Sequence, residues 1–214
     1  MNKQAGFTLI ELAIVLVIIG LLLGGVLRGQ ELINSAKVKN MVSDFKNIQV
    51  QIYSYQDKFK ALPGDDRAAV AHLGTGATQV TGATVGNGVI DGTWNATIGE
   101  SFTAWEHIRR AGLAAGTVDP TVTTYLPTNN EGGPVGIQSN PQLTITGLTG
   151  SYAVCSGGIT GKLAKQLDVQ MDDGATDTGS VMVGLAVTGT TAVAPVASTV
   201  ANFDSTKYIL CVAF

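Results

Sequence analysis

Carboxylates and thiols are the side chains of this sequence whose type and placement could do chemistry. Glu11 is the single charge within Phe7–Leu27, the 21-residue run FTLIELAIVLVIIGLLLGGVL. A carboxylate in so apolar a run is costly in lipid and is usually kept for function. It lies four residues after Phe7, beside the polar stretch MNKQAG, where a partner's cationic group can reach it. Asp168, Asp172, Asp173 and Asp177 gather around Gly174, and Asn87–Gly92 is a second oxygen-rich turn. Calcium takes six to eight oxygen ligands, so both are candidate calcium loops, although neither follows the EF-hand pattern. Asp172-Asp173-Gly174 reads equally well as a solvated helix end. Two histidines, His72 and His107, and two cysteines leave few soft ligands and no pair at zinc spacing. There is no G-x-S-x-G elbow and no nucleotide-binding loop, so nothing here points to catalysis.

The elements that must position these groups follow from composition and periodicity. The chain has 214 residues, 45% hydrophobic but only 14% charged, against about 25% charged in average globular proteins. Its net charge of −3, and −6 over residues 61–214, argue against a nucleic-acid binder. Nearly half the chain is apolar, which excludes a disordered protein. As a helix, Phe7–Leu27 spans about 31 Å, the thickness of a hydrocarbon core. No small-x-small cleavage site follows it, so hydropathy alone reads it as an uncleaved anchor. Val38, Met41, Phe45, Ile48, Ile52, Tyr55 and Phe59 then fall alternately three and four apart, one apolar seam on a continuing helix. Leu62-Pro63-Gly64 ends that helix after Lys60.

Beyond it, Gly74–Gly99 reads as a long surface connection, and Asp65-Asp66 can start a short helix running to Leu73. Glu100–Leu113 places Phe102, Trp105, Ile108 and Leu113 near one helical face, with Ser101 or Thr97 as its cap. Ile159, Leu163, Leu167 and Met171 predict a second helix, Ile159–Met171. Alternating apolar residues predict strands at Gln142–Thr146, Val181–Val187 and Tyr208–Phe214, hence an antiparallel sheet with one face buried.

Gly6-Phe7-Thr8-Leu9-Ile10-Glu11 resembles the G-F-T-L-x-E signature of the type IV pilin and pseudopilin superfamily. The likeness is specific over Gly6–Leu27 and looser as far as Pro63. It implies an α+β fold, a long N-terminal helix packed on a C-terminal, mainly antiparallel sheet. It implies a leader (1–6), a long helix (7–60, of which 7–27 is the transmembrane and polymerisation segment) and a globular head (61–214). A prepilin peptidase would cut after Gly6 and methylate Phe7, and Glu11 would pair with the N-terminal amine of a neighbouring subunit. The partners implied are identical or related pilin subunits, the peptidase, and an inner-membrane assembly platform with its motor. The subunit would wait in the inner membrane and then enter an extracellular filament, neither acting as an enzyme nor binding nucleic acid.

Arg28 stands where many pilins carry a helix-kinking proline, and Gly20, Gly24, Gly25 and Gly29 could supply the same flexibility. In an exported chain an even pair of cysteines points to a Cys155–Cys211 disulfide, two buried thiols being the alternative. Pilins often have such a bridge, which favours a pilus subunit over a type II secretion pseudopilin. A membrane-anchored periplasmic binding protein or enzyme is the remote alternative.

Overall fold

The computed structural model describes residues 8–140, 144–185 and 192–214. Its elements are helix α1 (Leu9–Phe59), α2 (Ala69–Leu73), α3 (Glu100–Arg110), strand β1 (Val135–Ser139), β2 (Tyr152–Thr160), α4 (Gly161–Met171), β3 (Val181–Leu185), a 3-10 turn (Phe203–Ser205) and β4 (Lys207–Ala213). This is an α+β protein of type IV pilin-like architecture, a long N-terminal helix followed by a four-stranded antiparallel sheet. Two compact units divide the chain, Met1–Val38 and Lys39–Phe214, and α1 contributes to both.

In the N-terminal unit the helix is unbroken, because glycine lowers helix propensity without removing a backbone donor. The glycines at 20, 24, 25 and 29 therefore lie inside regular helix, and a methyl group at any of them would meet nothing within 4 Å.

In the head unit the apolar seam is buried at Met41, Phe45, Ile48, Ile52 and Tyr55. The helix stops at Lys60, whose left-handed backbone (φ 56°) lets its N–H bond to the Gln56 carbonyl at 2.8 Å. The sheet order is β1-β2-β4-β3, so β2 and β4 are central. Val154 opposes Val212 and Cys155 opposes Cys211, which sets their side chains on opposite faces.

Both faces are buried, contrary to the one expected. The burial pattern of β1 is continuous, and that of β2 nearly so. Trp94, Ile145 and Leu148 cover the Cys155 face. Gly136 is required by this cover, because a Cβ there would lie 1.7 Å from the Trp94 carbonyl oxygen.

Residues 74–99 are correspondingly no loose surface connection. Ala77, Val85, Ile90 and Trp94 are buried. The Ile90 and Trp94 N–H groups donate to Ser139 Oγ (2.8 Å) and Gln138 Oε1 (2.7 Å) of β1. Both sheet edges are sealed by the chain itself. Ser139 N–H donates to the Ile90 carbonyl beside β1, and Val196 N–H to the Val183 carbonyl beside β3. Sealed edges disfavour strand addition between copies.

Further expectations shift or fall outside the described residues. Ile159 closes β2 rather than opening α4, and α3 stops at Arg110 without a side-chain cap at its start. The helix after Asp65-Asp66 is five residues, Ala69–Leu73. The strand expected at Gln142–Thr146 partly lies outside the described residues; within them Ile145 makes one isolated bridge to Val193. Ala186 and Val187, expected to extend β3, also lie outside the described residues.

Candidate functional site

The start of α1 is built around Thr8 and Glu11. Thr8 N–H and Thr8 Oγ1 both donate to Glu11 Oε2 at 2.8 Å, and Glu11 N–H donates to Thr8 Oγ1 at 3.3 Å. This is a reciprocal capping box, in which each side chain satisfies a helix-start donor of the other. The pattern Thr-x-x-Glu before an apolar run is legible in sequence, and reading Glu11 only as a charge in lipid misses it. Both Thr8 bonds fall on Oε2, and among the described residues Oε1 of Glu11 accepts none. Gly6 and Phe7, the expected cleavage and methylation residues, lie outside the described residues.

C-terminal to the box the helix presents apolar side chains on every side. The large apolar residues from Leu9 to Leu27 are 46–88% exposed. This helix is long and apolar enough to cross a membrane. A helix apolar all round needs lipid or other protein about it.

Cys155 and Cys211 form a disulfide, both buried and directly opposite on the central strands. The two-thiol alternative is thereby corrected, and no free cysteine exists.

The four aspartates at the end of α4 do not converge as a calcium cradle. Among the described residues no group of three or more His, Cys, Asp or Glu side chains is arranged to hold a metal ion. Each carboxylate with a bond is instead committed to its own loop. Asp172 Oδ2 accepts from Ser180 N–H and Val181 N–H, and Asp173 Oδ1 from Ala175 N–H. Asp168 is fully buried and accepts from Gly174 N–H at 2.7 Å through Oδ1, while its Oδ2 has no partner. Burial, with the nearby charges of Asp173, Asp172 and Asp177, pushes the Asp168 carboxyl up to about 6.

A raised folded-state value means that Asp168 favours the fold most below about pH 4 and that this contribution is lost as pH rises through 6. Asp168→Asn keeps the Gly174 acceptor and removes the charge. Its melting temperature is expected above that of the wild type at pH 8, by the equivalent of about 2 kcal/mol, with the gap narrowing below pH 6 and closing below about pH 4. Thermal melts of both proteins across that range check it; a gap that stays constant with pH contradicts it.

Neither histidine is a metal ligand among the described residues; both belong to the join between α1 and the head. His107 is buried, accepting from Gly64 N–H at Nδ1 (3.0 Å) and donating from Nε2 to the Thr78 carbonyl (2.9 Å). Burial lowers its pKa, so the neutral imidazole is the native form. Glu106 Oε1 accepts from Thr78 N–H at 3.0 Å and from Arg110 Nε at 2.6 Å. Burial raises the Glu106 carboxyl, but the Thr78 and Arg110 bonds outweigh it and hold it below the usual range. Adjacent side chains of α3 thus grip both backbone groups of Thr78. Asp66 likewise joins Tyr55 OH (2.8 Å) to His72 Nδ1 (2.7 Å). These contacts order the head, and no nucleophile stands among them.

Comparison with known proteins bears on the N-terminus alone. Residues 1–27 match the family model of the prokaryotic N-terminal methylation motif. No curated protein and no solved structure matches the chain. The motif is a type IV pilin-like prepilin signal, one that implies processing by a prepilin peptidase, and the long apolar helix continues it without a break. By that signal and that helix, the chain begins as type IV pilin-like precursors do, with a prepilin-type motif running into a helix long and apolar enough to cross a membrane.

Proposed function

We propose that the protein is a structural subunit of a type IV pilus-like extracellular filament. It is cut after Gly6, methylated at Phe7, held in the inner membrane by residues 7–27, and then polymerised through the same helix. The observation that carries this reading is the apolar half of α1, which its own chain leaves uncovered over the whole membrane-length window. Lipid covers such a surface before assembly, and the helices of neighbouring copies cover it afterwards.

Glu11 gives the packing its register. Its carboxylate, held at the helix start by Thr8, accepts the new N-terminal amine of the next copy at the free Oε1. Two charges that are costly apart in an apolar surround compensate each other there, which favours one alignment over others. Among the described residues both outer strands already bond to neighbouring segments of the same chain, which supports helix-led assembly over strand addition.

A type II secretion pseudopilin is the second reading, and the Cys155–Cys211 bridge favours the pilus subunit. Electron microscopy of sheared surface filaments, with peptide mapping, separates the two. Filaments containing this chain, beginning at an N-methylated Phe7, are expected. A chain confined to the membrane, whose deletion abolishes protein secretion, would instead identify a pseudopilin.

A further inference from the structure

Within the head unit a cleft of about 260 Å³ opens between Asp44 and Gln51 of α1 and Trp105 and Arg109 of α3. Its two charged walls have opposite signs, yet among the described residues neither Asp44 nor Arg109 makes an ion pair. Arg109 spends one nitrogen on the Thr117 carbonyl at 2.8 Å and lies over the Tyr125 ring, 5.2 Å from its centroid. Its Nε and the buried Trp105 Nε1 have no acceptor. Burial lowers the Arg109 guanidinium from its ordinary value, and the carboxyl of the more exposed Asp44 is raised by the smaller loss of water at the cleft mouth. Ile48 and Pro127 add apolar surface to its lining.

One exposed part of this chain complements that arrangement. Arg28 and Glu31 stand three apart on α1 and so share a helical face. Among the described residues neither has an ion-pair partner. Leu27, Leu32 and Ile33 flank them and are 64%, 72% and 58% exposed. A turn carrying two opposite charges with apolar neighbours therefore meets a cleft whose lining carries two opposite charges and apolar side chains. A simple anion would answer Arg109 but would face the Asp44 carboxylate, whereas this turn answers both.

We propose that the cleft receives the Arg28–Glu31 turn of a second copy, with Glu31 against Arg109 and Arg28 against Asp44. The contact rests on the filament reading and deepens it, adding a head-to-helix ion-pair set to the packing of the apolar helices. It links the head of one subunit to the stem of another and so sets their relative rotation. Charged pairs at such a contact select register and partner more than they add affinity.

Charge reversal in the full-length chain tests it, read as filament recovered by shearing. Arg28→Asp and Asp44→Arg alone are each expected to lower filament yield at least about tenfold, with cleavage after Gly6 intact. The double reversal is expected to return it to within about threefold of wild type. In parallel, a chain carrying both Arg28→Cys and Asp44→Cys should give a ladder of disulfide-linked copies on mild oxidation, since the native cysteines are already bridged. Single reversals that assemble normally, a double reversal as poor as the singles, or cysteine variants that assemble yet stay monomeric on a denaturing gel would overturn the contact. If Glu11→Ala meanwhile abolishes filaments, the filament reading survives that loss. If the wild-type chain enters no filament, the reading and the contact fall together.

Discussion

Glu11→Ala is expected to leave the protein inserted in the membrane and cut after Gly6, yet to cut its recovery in surface filaments by about a hundredfold or more. The loss follows from what the carboxylate faces in each state. In the single chain its Oε2 is satisfied by the Thr8 N–H and hydroxyl, and the helix start does not depend on a neighbour. In the proposed filament its Oε1 would answer a neighbour's N-terminal amine. Removing it leaves that amine unpaired among apolar helices, the costly case for a charge pair broken on one side.

Glu11→Gln separates pairing from capping. Glutamine serves as well as glutamate at the third position of a capping box, so the helix start is kept while the charge is lost. Filament recovery for Glu11→Gln should therefore fall nearly as far as for Glu11→Ala. Immunoblots of membrane and sheared fractions read both outcomes. Near-normal filaments from Glu11→Gln would reduce Glu11 to a helix cap.

The second large effect belongs to the head. Replacing both Cys155 and Cys211 by alanine is expected to lower the melting temperature of the full chain by about 10 °C. The bridge joins residues 56 apart in sequence. Closing such a loop restricts the unfolded chain by about 4 kcal/mol in the chain-entropy description. For a domain of this size each kcal/mol moves the midpoint by about 2–4 °C. The bond joins the two central strands and lies in the same buried cluster as Trp94, so tryptophan fluorescence reports the transition where the bridge acts. A midpoint within about 2 °C of wild type would show that the β2–β4 pairing holds without the bond. The reduced wild-type protein should behave like the double variant.

Particular residues show how far the chain could be read. The membrane-length helix and its seam were legible because each depends on neighbours three and four positions away, all within one element. The strand around Cys211 was legible by alternation. β1 was not read as a strand, because Gly136 and Gln138 interrupt its apolar signal for reasons that lie in other segments. Gly136 makes room for the Trp94 carbonyl, and Gln138 accepts the Trp94 N–H. Residues 74–99 read as surface because glycine, threonine and alanine dominate them. Yet Asp65 receives the Gly88 N–H at 2.7 Å, and Glu106 receives that of Thr78. Those anchors come from elsewhere in the chain, so no local pattern reveals them.

At the N-terminus the sequence alone determined the chemistry. A processing signal, one carboxylate and a membrane-length apolar run are local features, and the rise of a single helix turns their spacing into geometry. Tertiary structure alone decided the rest. It set Cys155 opposite Cys211, buried Asp168 while committing Asp172 and Asp173 to backbone N–H groups beyond α4, and placed Asp44 and Arg109 in the lining of one cleft. These outcomes depend on which distant segments pack together, and therefore on how much water each charge loses. Composition and periodicity carry no record of that loss.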